Sequence, residues 1–177
     1  MKNELNKQHA WITKLLFVVL LSLVSFCSFA QTPTDPLPGD PGSITVFTIQ
    51  HMSFGAFHPG ANGGSIIIST SGSRSVTGAV VPLNMGIPYF QSIFEIEAPE
   101  GTIVSILNGP DATLTGSNGG SMSLRLNNSA PASPFSTIVP APGRTQVNIG
   151  GTLTVGPPQV TIPGSYSGIF FITFNQE

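Results

Sequence analysis

Along most of this chain apolar residues alternate with polar ones in short runs, and glycine- and proline-rich breaks separate the runs. Successive side chains of a strand point to opposite faces, so alternation of this kind predicts strands with one face in a core. The run from Ser92 to Ala98 is the clearest, with Phe94, Ile96 and Ala98 inward and Glu95 and Glu97 outward. The stretches from Thr102 to Asn108 and from Ser121 to Asn127 repeat it, the latter placing Met122, Leu124 and Leu126 opposite Ser123 and Arg125. The stretch from Gly164 to Asn175 sets Tyr166, Gly168, Phe170, Ile172 and Phe174 on one side, with Ser165, Ser167, Thr173 and Asn175 on the other. It predicts a single strand whose apolar face requires a second sheet over it.

Further strands are predicted from Ile44 to Ile49, from Met52 to Phe57 with a bend at Gly55, and from Ser65 to Thr70, where a β-branched run suits a sandwich interior. Val76 to Leu83 reads as another strand. Thr145 to Ile149 and Thr152 to Gly156 read as two more, separated by a tight turn at Gly150 and Gly151. Pro59 to Gly64 is a turn, and Asn128 to Gly143 is a long surface connection pinned by Phe135, Ile138 and Val139. No helical period stands out, and the chain's 20 glycines and 16 prolines punctuate short strands at the spacing of a sandwich. The fold class is therefore all-β, an antiparallel β-sandwich.

The N-terminus changes the picture of where this domain works. Lys2, Lys7 and Lys14, the apolar run from Leu15 to Phe26 and the closing Ser28-Phe29-Ala30 make residues 1–30 a secretory signal peptide cleaved after Ala30. The apolar run is shorter than the roughly 20 residues that a bilayer-spanning helix requires. Phe26 stands where a lipid-anchor site before Cys27 requires a small residue. Residues 31–43, with Pro33, Pro36, Pro38 and Pro41, form an extended linker, so the sandwich occupies residues 44–177. Cleavage removes the only cysteine and every lysine, leaving Arg74, Arg125 and Arg144 outnumbered by carboxylates. Such a surface offers no basic patch for nucleic acid or anionic lipid, and the chain meets a membrane only through its signal peptide. The expected location is the periplasm, the cell surface or the extracellular space.

The inventory of reactive groups is thin. His51 and His58 flank one short strand and lack a third Cys or His ligand, which disfavours a metal site. Glu95, Glu97 and Glu100 read as a solvated strand face rather than paired catalytic carboxylates or a calcium site. The glycines of 60–64 and 116–120 precede no helix and so read as turns rather than phosphate loops. From Gly164 to Gly168 Tyr166 occupies the central position where a nucleophile elbow, Gly-x-Ser-x-Gly, would hold its serine. We therefore expect no catalytic, cofactor or metal site, no small-molecule substrate and no enzyme activity. Tyr89 and Phe90, on a loop, form the candidate binding site, because loops on a rigid sandwich carry recognition. Tyr166 is expected to pack in the core or to bond a neighbouring backbone group.

Phe54-Gly55-Ala56-Phe57 within the block Met52 to Val81, and Gly164-Ser165-Tyr166-Ser167-Gly168 within the block Gly150 to Asn175, carry a family resemblance. In this order and behind a signal peptide, they resemble the two end blocks of the bacterial domain of unknown function 4402. That family is similar to the Mat/Ecp fimbrial major subunits and to the spore-coat-U-like pilins. The resemblance implies an immunoglobulin-like, pilin-like sandwich with a structural or adhesive role at the cell surface, in the manner of a fimbrial subunit. Its partners would be copies of itself or other surface subunits, joined by β-strand addition. The rival expectation is a stand-alone binding module for glycan or peptide. Residues 31–43 lack the alternating apolar side chains that a donor strand needs, so the expectation is a complete, monomeric domain. An open groove beside the last strand is the alternative.

Overall fold

The computed structural model describes residues 43–177. The chain runs through β1 (Thr45–Gln50), β2 (Ser53–Phe54), β3 (Phe57–His58), β4 (Gly64–Ile68), β5 (Arg74–Gly78), β6 (Val81–Pro82) and β7 (Tyr89–Phe90). It continues through β8 (Ser92–Glu97), β9 (Ile103–Asn108), β10 (Ala112–Gly116), β11 (Ser121–Ala130), β12 (Phe135–Ser136), β13 (Arg144–Val155), β14 (Tyr166–Ser167) and β15 (Ile172–Gln176). All described elements are strands and every ladder between them is antiparallel, as the alternation predicts. The expected signal peptide, and all of the proline-rich stretch except Ser43, lie outside the described residues.

The long strand β13 is the axis of the larger sheet. Its first half pairs with β8 and its second half with β4, while β11 runs along its other edge. The sheet extends beyond β8 to β1, beyond β4 to β5, and beyond β11 to β10 and β14. Against its inner face packs a three-stranded sheet ordered β12-β9-β15, together with the short ladders β2-β7 and β3-β6. The result is a sandwich-like, two-layered arrangement. One core cluster joins Phe54, Ile66, Ile68, Leu124, Leu153 and Val155, and the other joins Phe94, Ile96, Val104, Leu126, Val147 and Ile149. Met52 and Phe170 pack against both. Alternation in β13 places Val147 and Ile149 in one cluster and Leu153 and Val155 in the other.

Several local expectations change, and the expected strand from Met52 to Phe57 divides at Gly55 into β2, paired with β7, and β3, paired with β6. Gly150 and Gly151 lie inside β13 and make no turn. Both are buried; a β-carbon on Gly150 would come 2.6 Å from the Ile68 carbonyl oxygen, and one on Gly151 would come 2.5 Å from the Met52 sulfur. These glycines answer to close packing. The run from Val76 to Leu83 breaks after Gly78, whose φ of +70° turns the backbone while Ala79 N–H donates to the Gly63 carbonyl at 2.8 Å. Val80 then swings into the core. β10, with Leu114 as its one large apolar residue, is a strand that the pattern does not announce. Within the long connection Phe135 is buried, as expected, but Ile138 is exposed.

The stretch from Gly164 to Asn175 is not one strand. Its first part, β14, pairs with β10 in the larger sheet, and its last part, β15, pairs with β9 in the smaller one. Between them the chain crosses from layer to layer, passing Thr113 so closely that a β-carbon on Gly168 would come 2.5 Å from that residue's carbonyl oxygen. Tyr166, Phe170, Ile172 and Phe174 nonetheless share the inward side as the alternation requires.

Two alanine substitutions should separate backbone from side-chain crowding in β13. Gly150→Ala drives a methyl against a fixed carbonyl and should cost about 1–3 kcal/mol or more, whereas in Gly151→Ala the flexible Met52 thioether can swing aside at a smaller cost. Urea unfolding midpoints of the two variants measure the difference, and equal midpoints would contradict this account of the glycines.

Candidate functional site

Tyr89 and Phe90 are the whole of β7, held by pairing with Ser53 and Phe54 of β2. Ser53 also donates its hydroxyl to the Pro88 carbonyl at 2.7 Å. The Arg74 guanidinium lies 4.3 Å from the centre of the Tyr89 ring and donates through Nη1 to the Phe54 and Ala56 carbonyls, at 3.1 and 3.3 Å. One cation thus ties β5, the β2-β3 segment and the Tyr89 ring together. Tyr89 is 43% exposed and Phe90 is half-buried, so the two do not present a shared aromatic surface. The exposed apolar side chains here are instead Leu83, Met85 and Ile87, at the tip between β6 and β7.

The other candidates separate in space and role. His51 and His58 are both exposed, and among the described residues no group of three or more His, Cys, Asp or Glu side chains is placed to hold a metal ion. Glu95 and Glu97 do share the outer face, where both meet Arg144, at 3.1 and 3.4 Å. Arg144 also lies 3.6 Å from the centre of the Phe47 ring. Glu100 is exposed on the turn before β9. Gly60 and Gly63 lie in the turn before β4, which Gly64 opens, and Gly119 and Gly120 lie in the turn after β10, which Gly116 ends. Tyr166 is half-buried against the core and its hydroxyl donates to the Ile162 carbonyl at 2.7 Å.

Two further features bear on function: one belongs to the open groove beside the last strand that the sequence left as the alternative, and the other was not singled out from the sequence. The first is the rim of the smaller sheet, which ends at β15. Gly109 N–H donates to the Phe171 carbonyl, and Glu177 N–H to the Ile103 carbonyl. In the antiparallel register these bonds direct the odd-numbered backbone groups toward β9, so the N–H and C=O of Ile172, Phe174 and Gln176 face away from it. Phe174 packs on Phe94 with ring centres 5.4 Å apart, yet Phe174, Ile172 and Phe170 all stay only half-buried. Val46 lies opposite Ile96 and so on the core-facing side, but remains 39% exposed. The core face is only partly covered along this border.

The second feature is a groove of about 630 Å³ at a bulge in β11, where the register to β13 shifts between Leu126 and Ser129. Asn127 and Asn128 at the bulge, Asn108 at the end of β9, Ser69 and Thr70 after β4, and Arg125 line it. The Asn108 amide donates to the Asn127 carbonyl at 3.0 Å, and the Asn127 amide bonds the Thr152 hydroxyl. Asn-Asn ending the alternation of Ser121 to Leu126 was the available signal, since a bulge re-aims side chains where a pattern breaks.

The fold thus defines an all-β, antiparallel, sandwich-like domain with one partly covered sheet border. Residues 44–175 match the family described as a domain of unknown function, DUF4402, and the chain belongs to that family. No curated protein and no solved structure matches it.

The role of Arg74 is open to a direct check. Arg74→Ala removes both charge-assisted hydrogen bonds and the cover of Tyr89, and should cost about 1.5–3 kcal/mol while raising amide hydrogen exchange across residues 81–90. Unchanged exchange in that segment would contradict the role given to Arg74.

Proposed function

We propose that this protein is an exported, non-enzymatic subunit of a surface structure, joined to its neighbours by β-strand addition at the free edge of β15. The observation that carries this reading is the combination there of outward backbone donors and acceptors with half-buried, core-facing Ile172 and Phe174. An added strand with alternating apolar residues would satisfy the backbone groups and cover the side chains in one step. Val46 and Ile44 mark the far side of the same partly covered strip, and Ile44, Ile172 and Phe174 all pack against one core cluster. The order β1-β8-β13-β11 facing β9-β15 suits an immunoglobulin-like sandwich with room for one more strand. The resemblance to Mat/Ecp fimbrial subunits and spore-coat-U-like pilins points the same way. The proline-rich leader is a poor donor, so the incoming strand would belong to another part of the partner subunit.

Gln176→Pro tests this reading with little disturbance of the fold. It removes an outward-facing amide while leaving the ladder to β9 and the core side chains in place. Cross-linking on intact cells should trap multimers of the wild-type chain and at least tenfold fewer of the variant, with the same circular dichroism for both. A wild-type chain that is monomeric at the surface, or a variant that multimerises fully, would refute strand addition at β15.

A further inference from the structure

The outer face of the larger sheet is divided chemically. Around β1, β8 and the first half of β13 it carries Arg144 with Glu95 and Glu97. Across the other half the register lines up hydroxyl side chains. Thr77 of β5 lies opposite Ser65 of β4, Ser65 opposite Thr154 of β13, Thr154 opposite Ser123 of β11, and Ser123 opposite Thr113 of β10. That is a row of five hydroxyl groups over five adjacent strands, spanning about 19 Å at the usual strand separation. The neighbouring row runs Ser75, Ile67, Thr152 and Arg125, and on the other side Ser121, Thr115 and Ser167 continue the pattern.

Among the described residues, none of Thr77, Ser65, Thr154, Ser123 and Thr113 makes a side-chain hydrogen bond, while in the neighbouring row Thr152 bonds Asn127 and Arg125 bonds Asp111. The row of five therefore turns its donors and acceptors to solvent. The groove at the β11 bulge adjoins it through Ile67 and Arg125, and adds the side chain of Asn128, while the Asn108 and Asn127 amides brace its wall through their bonds to the Asn127 carbonyl and the Thr152 hydroxyl.

We propose that this hydroxyl-bearing half-face and its groove bind a neutral polysaccharide chain. Hydroxyl groups both donate and accept, so they complement a ligand that is itself dense in hydroxyl groups. Each contact contributes little, and a polymer that repeats along the row gains from many at once. A polyanion would need fixed cations, and the one arginine here is already paired with Asp111. An added peptide strand needs an open edge, which a sheet face does not present. The right-handed twist between neighbouring strands, typically about 20–25°, curves the row, which suits a pliable chain better than a flat crystalline surface. The groove, at about 630 Å³, is large enough to seat part of such a chain. This inference is independent of strand addition at β15 and concerns the opposite face of the sandwich.

Native electrophoresis of the exported chain through gels containing mixed-linkage β-glucan, xylan, galactomannan or dextran tests the proposal. At least one polymer should retard the wild-type protein. The double variant Ser123→Glu with Thr154→Lys, whose opposed charges satisfy each other, should weaken that retardation at least tenfold. Asn128→Ala should weaken it severalfold. Ser123→Ala with Thr154→Ala, which only deletes exposed hydroxyl groups, keeps the test independent of any folding defect in the charged pair and should also weaken binding. Gln146→Ala, on the charged half, should bind as the wild type does. Retardation by none of the polymers, retardation only by charged polymers such as alginate, or row variants that bind as tightly as the wild type would each overturn the proposal. Retention of binding by monomeric protein supports it whatever the state of β15.

Discussion

The fold depends on β13 making three sets of strand pairs at once. A strand of ordinary length serves one neighbour on each edge, but β13 is 12 residues long and divides one edge between β8 and β4 while β11 occupies the other. The division works because the middle of the strand has no side chains. At Gly150 the Ile68 carbonyl approaches where a β-carbon would stand, and at Gly151 the Met52 thioether does the same. Thus the two residues that weaken a strand most in isolation are the ones that allow this strand to feed both core clusters.

The same pair shows why part of the fold was legible in the sequence and part was not. Alternation reports which face of a strand meets a core, and it reported β8, β11 and β15 well because Phe94, Ile96, Leu124 and Phe174 had no competing demands. Gly-Gly is ambiguous: it permits a turn and it permits close approach, and only the neighbours decide. Gly78 posed the reverse problem, since an apolar run hid a backbone reversal. β10 escaped notice because a strand next to the sheet border can be made of threonine, alanine and glycine with a single leucine. The last apolar stretch was read correctly for sidedness and wrongly for continuity, since side-chain period does not say which sheet supplies the partner.

Legibility was lower for the candidate site. Tyr89 and Phe90 were expected on a loop and instead make up strand β7, and the cation over the Tyr89 ring comes from Arg74, 15 residues earlier in the chain. Phe90 proved half-buried. The open side of the last strand was an alternative in the sequence, but its outward backbone groups and the hydroxyl row are set by registers between strands, and single-residue chemistry does not encode registers. Serine and threonine on an outward face look like plain solvent exposure until five of them fall on one line.

The crossing of the chain between β14 and β15 also bears on the order of events during synthesis. Tyr166 and Phe170 pack against the first cluster, and Phe170, Ile172 and Phe174 against the second, so the cover of both clusters is completed only when these residues have been made. In a chain produced from its N-terminus, everything up to β13 must wait, with its apolar faces incompletely covered. The layer-crossing stretch, late in the chain, thus supplies cover to both clusters at once.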